Sequence, residues 1–528
     1  MERAALIKQA ANKRKPMNAY SLFVTLLSIS ACAMLIPAFY GVSERDLPAA
    51  RGFLQAGLIV GVLATLIGLA TRGQSSRADA RAQLATLVAA FTLLPAFLAL
   101  PFMQVSGAGF VQSYVEMVSS VTTTGATLFG PFELSGSLHL WRATVGWMGG
   151  FFLWVAAAAI LAPLNLGGFE VIATAGGGRL ASDSSQSIEG PAQTTIVLGD
   201  KEDSGARIAR IAGRLAPIYG GATAVLYLLQ TMAGERFLVA VIHAMSTMST
   251  SGISPVGGVQ FGTGGRVAEA AVFLFFIFAI SRVTFSAEDR GNRWQKLRYD
   301  PEARLGLLFV GTVTALLLMR HFIGSFEEAG VESSLWQVFR AFWGSVFTVT
   351  SFLTTAGFVS IDWVAVRAWS GLETPGLILM GLALMGGGVA TTAGGVKLLR
   401  VFALYKHGRR EMERLVHPSS IGGAGDKARR IRRQGAFVAW VFFMLFALSL
   451  AGVGLALAAS GIPFQEAVVL SVMSLATCGP LADVALEMPI DIGALETSSQ
   501  AILAMAMALG RLETLALIAL LNPGFWRR

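Results

Sequence analysis

The chain has 528 residues, 54% of them hydrophobic and 14% charged, with a formal net charge of +9. A mean hydropathy of +0.62 excludes an ordinary soluble domain, and charge-free runs such as Pro16 to Ser43, Gly52 to Thr71, Ala82 to Val115, Ala143 to Phe169, Leu215 to Gly234 and Gln434 to Phe464 reach the ~20 apolar residues a membrane span needs. The basic excess does not point to nucleic acid, because no basic stretch is interleaved with aromatics on a soluble module.

Arg3, Lys8, Lys13, Arg14 and Lys15 precede the first apolar run. That run is too long for a signal-peptide core and lacks a clear small-residue cleavage site, so it reads as a retained span. Two leading helices are expected at about 17–41 and 53–72. A unit of span, short apolar run, Thr/Gly loop and second span then recurs four times. The first copy is expected at 84–104, 109–121, 122–127 and 140–163, and the second at 212–232, 237–248, 249–254 and 266–286. The third occupies 304–323, 336–353, 354–358 and a long apolar segment 374–405; the fourth occupies 434–460, 464–475, 476–480 and 498–523. Most of the short runs cannot span, so each reads as a re-entrant pore helix whose C-terminal, negative dipole end faces a common centre and favours a cation.

The four loops align on one glycine: Thr122-Thr123-Thr124-Gly125, Ser249-Thr250-Ser251-Gly252, Thr354-Thr355-Ala356-Gly357 and Ala476-Thr477-Cys478-Gly479. A threonine stands two places before the glycine each time, and successive glycines are 127, 105 and 122 residues apart. Carbonyls and threonine hydroxyls of this kind can replace a dehydrated ion's water shell, and glycine lets carbonyls turn inward where a Cβ would obstruct. One such loop is an ordinary turn; four in register predict a ring around an ion. The fourth copy diverges most, with Ala476, Cys478 and the following Pro480.

Two spans separate successive loops, so every loop enters from the same face and the repeats are parallel about an axis along the membrane normal. Alternate loops hold 32 of the 41 Lys and Arg residues, at 1–15, 72–81, 179–214, 282–304, 397–433 and 527–528. This places both termini in the cytoplasm. The opposite face carries Glu44, Asp46, Glu133, Glu327, Glu328, Glu332, Asp362, Asp483, Glu487 and Asp491, which would concentrate cations at the mouth or simply solubilise it.

A second cluster, Gly386, Gly387, Gly388, Thr391, Thr392, Gly394 and Gly395, interrupts the third copy's last apolar segment. Glycine costs about 1 kcal/mol per position inside a helix, so the cluster predicts a break at membrane depth, either lining water or packing tightly between helices. Arg511 is a charge inside the last span, functional by default unless it pairs with Glu513 or another carboxylate. Glu116, Glu269 and Glu466 are weaker candidates. The five histidines show no ligand spacing, and Cys32 and Cys478 give no disulfide framework.

In these loops, in Gly386-Gly-Gly-Val-Ala-Thr-Thr-Ala-Gly-Gly-Val-Lys-Leu-Leu-Arg400 and in Gly510-Arg-Leu-Glu513, the chain resembles the Trk/Ktr/HKT superfamily of potassium transporters, most closely the bacterial TrkH type, over essentially its whole length. The resemblance implies an all-α integral membrane protein of the cytoplasmic (inner) membrane: two leading helices plus four parallel helix–pore-loop–helix repeats with pseudo-fourfold symmetry. The corresponding units are 1–80, 81–200, 201–300, 301–430 and 431–528. It implies potassium uptake with Gly125, Gly252, Gly357 and Gly479 marking the filter, the 386–395 segment as an intramembrane gate, and Arg511 projecting toward the ion path. Ser251, Ala476 and Thr477 depart from the common TrkH-type pattern. Potassium is the only ion expected, with no prosthetic group. Expected partners are membrane lipid, a second copy as a homodimer and a cytosolic TrkA-type nucleotide-binding subunit. No motif separates a gated channel from a proton- or sodium-coupled symporter, and a sodium-permeable transporter of the same fold is the alternative. A membrane enzyme would need paired carboxylates, a His/Glu metal set or a nucleophile with a base; none is read, so no enzyme activity is expected.

Overall fold

The computed structural model describes residues 22–71, 80–162, 204–281, 300–324, 335–372, 375–417 and 433–512. The expected basic segments 1–15, 282–299 and 527–528, most of 72–81 and 179–214, and the linker 418–432 lie outside these residues, as does Glu513. The described residues are helical, with connecting turns and no strand. Among the described residues, six helices are long and apolar enough to cross a membrane: Leu22–Ser43, Leu47–Ala70, Gln83–Ser106, Gly136–Leu161, Pro301–Arg320 and Gly435–Ala459.

The first of these bends at Met34, between Leu22–Ala33 and Leu35–Ser43. Pro37 explains the bend, since it cannot donate to the carbonyl four residues back. The second leading helix begins six residues before the expected 53, because the Asp46 side chain accepts from the Ala49 amide and Pro48 sits in the first turn. Exposed Arg51 on this first turn breaks the charge-free run without breaking the helix.

The pore helices are Phe110–Val121, Phe237–Ser249, Leu335–Leu353 and Phe464–Leu475, within two residues of the expected runs. Each is preceded by a span (Gln83–Ser106, Ser204–Met232, Pro301–Gly324, Arg433–Ala459) and followed by a second helix (Gly136–Ala156, Gly265–Ile280, Gly376–Met385, Thr497–Leu512). The second, third and fourth pore helices each pack on the last helix of the preceding repeat, and the first packs on Thr497–Leu512 of the fourth. That cyclic packing closes four tandem units into a ring.

The third repeat's last segment is broken as its glycines predict. Gly376–Met385 stops at Gly386, an irregular stretch follows, and helix Leu398–Val416 carries on past the expected end at 405 with charged residues. Apolar side chains such as Phe39, Leu58, Leu307 and Leu455 point outward, as a lipid-facing surface requires, while the polar loop residues are interior.

Candidate functional site

Every pore helix ends the same way. The threonine two places before the glycine has a positive φ in all four loops: Thr123 54°, Thr250 51°, Thr355 56° and Thr477 52°. A β-branched residue in the left-handed region is a genuine outlier, costing about 1–3 kcal/mol. The hydrogen bonds explain why it persists. The threonine amide donates three residues back, to Ser120, Thr247, Phe352 and Ser474, and the next amide donates five residues back, to Ser119, Ser246, Ser351 and Met473. This pair of bonds is the Schellman helix stop, built four times with threonine at the position that glycine usually fills.

The loops then converge. The Gly479 amide donates to the Thr124 carbonyl at 2.6 Å. A Cβ on Gly125 would collide with the Ser251 carbonyl oxygen, on Gly252 with Ala356, on Gly357 with Pro480 and on Gly479 with Ala126. Each loop therefore touches a neighbour at its glycine. Thr122, Thr123, Thr124, Ser249, Ser251 and Thr354 are wholly buried, and Thr250, Thr355 and Thr477 are within 1% of it. Ala356, Ala476 and Cys478 are buried beside them. The four loops singled out in the sequence thus meet one another in a ring at their glycines.

The glycine break docks directly on this ring. The Gly394 amide donates to Thr355 Oγ1 at 2.7 Å, and the Thr250 and Thr392 hydroxyls lie 3.2 Å apart. Thr392 Oγ1 also donates to the Met248 carbonyl, and Thr391 Oγ1 to the Gly388 carbonyl. Only glycine fits at 394, where a Cβ would strike the Ala476 carbonyl and Thr477 Oγ1. The break is therefore an irregular loop closely packed against the filter loops. The Gly388 amide donates to the Ala279 carbonyl, the Val389 amide to Glu302 Oε1, and Lys397 Nζ to the Ala393 carbonyl.

Arg511 reaches the same place. Its Nη2 donates to the Thr392 carbonyl at 2.6 Å and its Nη1 approaches Thr477 Oγ1 at 3.4 Å. No carboxylate pairs with it among the described residues. Arg511, Lys397, Gly394 and Gly395 line a cavity of about 30 Å³ together with Ala157 and Leu161. Ala157–Leu161 is a π-helical turn, a form that is rare and frequently functional. Three of the four left-handed threonines thus contact the break or Arg511, and the Thr123 hydroxyl, fully buried, has no hydrogen-bond partner.

The weaker carboxylate candidates have other places. Glu116 meets Arg142 at 2.5 Å, off the hydrogen-bonding line, and accepts from the Leu128 amide. Glu269 accepts from Trp343 Nε1, Ser360 Oγ and the Ile361 amide. Glu466 stands in the first turn of the fourth pore helix. Asp362, read from the sequence as one of the acidic residues of the outward mouth, is instead fully buried. It accepts from Arg266 Nε and Nη2 at 2.6 and 2.8 Å and from Arg340 Nε at 2.7 Å, so its charge is matched and neither draws cations nor solubilises the mouth. Burial works against its ionisation, but the hydrogen bonds and charges of the two arginines prevail and hold its carboxyl below the usual aspartate value. No local spacing signals this cluster, whose members lie 22 and 96 residues apart.

Three similarities place this architecture. The chain is 28% identical over 509 residues to the Trk system potassium uptake protein TrkH of Salmonella typhimurium, covering 95% of this chain and 97% of that one. It is 29% identical over 465 residues to the protein of the same name from Halomonas elongata, covering 86% and 88%. The crystal structure of the potassium transporter TrkH from Vibrio parahaemolyticus superposes with a TM-score of 0.78 at 24% identity, over 96% of this chain and 99% of that one, which establishes the shared fold. The family model described as TrkH, cation transport protein, matches residues 222–523, more than half the chain, and the chain therefore belongs to the TrkH family of cation transport proteins.

Proposed function

We propose that this protein takes up potassium across the cytoplasmic membrane through the ring of four loops, with the 386–395 segment as its gate. The observation that carries the reading is the fourfold recurrence of a strained left-handed threonine at the end of a pore helix, each followed by a glycine that touches the next loop. Strain of this size is retained where surrounding structure over-determines it and function uses it. On this reading the strain serves to aim the loop carbonyls at one centre, the arrangement that substitutes for a dehydrated ion's water. The names of the Salmonella and Halomonas relatives support potassium as that ion.

In the described conformation the gate segment is docked: Thr392 and Gly394 hold the second and third loops, and Arg511 bridges Thr392 and Thr477. Opening requires these contacts to part. Helix Leu398–Val416 continues directly from the break, so a cytosolic partner pulling on it would move the gate. A nucleotide-binding TrkA-type subunit and a second copy of the chain fit this reading as partners.

Growth of a host lacking its own potassium uptake tests it. Expression of this chain should restore growth in micromolar potassium, with no rescue by a Gly394→Val variant, whose side chain would collide with the fourth loop. Absence of rescue by well-expressed wild-type protein together with its cytosolic partner would overturn the proposal.

A further inference from the structure

The segments leaving the ring have a structural problem that the loops themselves do not solve. Past the glycines of the first three loops the backbone leaves the ring as irregular, largely buried chain, where an amide turned away from solvent needs a partner. A residue three places beyond the glycine has travelled about 10 Å at ~3.3 Å per residue. A residue five places before the helix end stands about 7.5 Å back along the axis at 1.5 Å per residue. The two come level, and in loop coordinates the helix residue lies nine places before the glycine.

Position minus nine is occupied by Glu116, His243, Thr348 and Leu470. Glu116 Oε2 accepts from the amide of Leu128, three places past Gly125, at 3.0 Å. Thr348 Oγ1 accepts from the amide of Ser360, three places past Gly357, at 3.2 Å. His243 Nε2 lies 2.9 Å from the hydroxyl of Ser254, two places past Gly252. The fourth copy uses a different solution. After Gly479 the chain folds at once into the helical turn Leu481–Val484, and the Ala482 amide donates to the Gly479 carbonyl at 3.0 Å. That segment satisfies itself, and position minus nine there is the apolar, fully buried Leu470.

We infer that the residue nine places before the loop glycine is the positioning residue of the filter in the first three repeats, fastening the exit strand to the pore helix so that the carbonyl ring keeps its width. The inference rests on the proposed filter. It assigns one task by two routes: Glu116 and Thr348 hold the amide three places past the glycine, while His243 holds the Ser254 hydroxyl because Pro255 at that place has no amide, and the fourth copy dispenses with the fastening. The Glu116 carboxylate is held in place by Arg142 from Gly136–Ala156. In the third repeat Glu269 adds a second fastening at Ser360 and Ile361.

Two matched comparisons in proteoliposome flux test this, with rubidium and sodium as the ions measured. Glu116→Gln/Arg142→Met and Glu116→Leu/Arg142→Met both remove the buried ion pair, but only the first retains a carbonyl oxygen for the Leu128 amide. Thr348→Ser keeps the hydroxyl that Thr348→Val removes without any change of charge, and it carries the test if the double variants do not fold. The rubidium-to-sodium ratio should fall about two- to tenfold in the Leu and Val variants, the scale of one net hydrogen bond. It should stay near wild type in the Gln and Ser variants and in Leu470→Met. Equal ratios within each matched pair, with Gly125→Ser still lowering the ratio, would overturn the inference and leave the filter standing. An unchanged ratio in Gly125→Ser as well would overturn the filter reading and this inference with it.

Discussion

Serine in place of Gly125 should lower the potassium-to-sodium flux ratio by roughly tenfold, the factor that ~1.4 kcal/mol of differential binding carries. Gly125 has a φ of 76°, where any side chain is strained. A Cβ there would collide with the Ser251 carbonyl oxygen of the adjacent loop, so that carbonyl must turn or retreat. Either movement takes one carbonyl out of the ring, so the larger, more easily dehydrated ion no longer finds a full set of contacts to replace its water. The collision is confined to two loops, so the pore helices should still assemble at some cost in stability, and expression and monodispersity must be checked beside the ratio. Reversal potentials, or rubidium against sodium uptake in liposomes, report the ratio. An unchanged ratio at normal expression would mean that Gly125 does not border the ion path.

Neutralising Arg511 should raise cation flux by roughly an order of magnitude. Two unit charges on the order of 8 Å apart at an effective dielectric near 20 repel by roughly 2 kcal/mol. Arg511 is buried against the gate segment and the fourth loop, so its charge opposes a cation leaving the ring. It also fastens Thr392, so Arg511→Gln removes both a barrier and a strong hydrogen bond from the closed gate. Arg511→Lys keeps the charge and should leave flux low, which separates electrostatics from packing. Loss of flux together with loss of folded protein in both variants would make Arg511 a structural residue instead.

What could be read from the residues alone was whatever is local and repeated. Each pore helix and loop is a contiguous stretch, and four copies in register made their boundaries legible to within two residues. The glycine break was legible because glycine acts on its own segment. The conformation of the loop threonines was not. Their recurrence at one position was visible, but threonine disfavours the left-handed region, and only the paired helix-stop hydrogen bonds show why it is there. Contacts across the ring were equally hidden. Thr250 to Thr392 and Arg511 to Thr392 span 142 and 119 residues, and no spacing rule connects them. The partners of Glu116 and Glu269, read from the sequence only as weaker candidates, were hidden for the same reason. Glu116 meets Arg142 and accepts from the Leu128 amide, and Glu269 accepts from the Ile361 amide, contacts that no local spacing announces. The start of the second leading helix was missed because Arg51 masked a local cap at Asp46.

The most direct measurement of the central claim is anomalous diffraction from crystals grown in rubidium. One ring predicts a rubidium peak on the pseudo-fourfold axis, enclosed by the backbone of residues 123–125, 250–252, 355–357 and 477–479 and lost when sodium replaces rubidium. Protein active in rubidium flux whose crystals show rubidium only away from these four loops would contradict it.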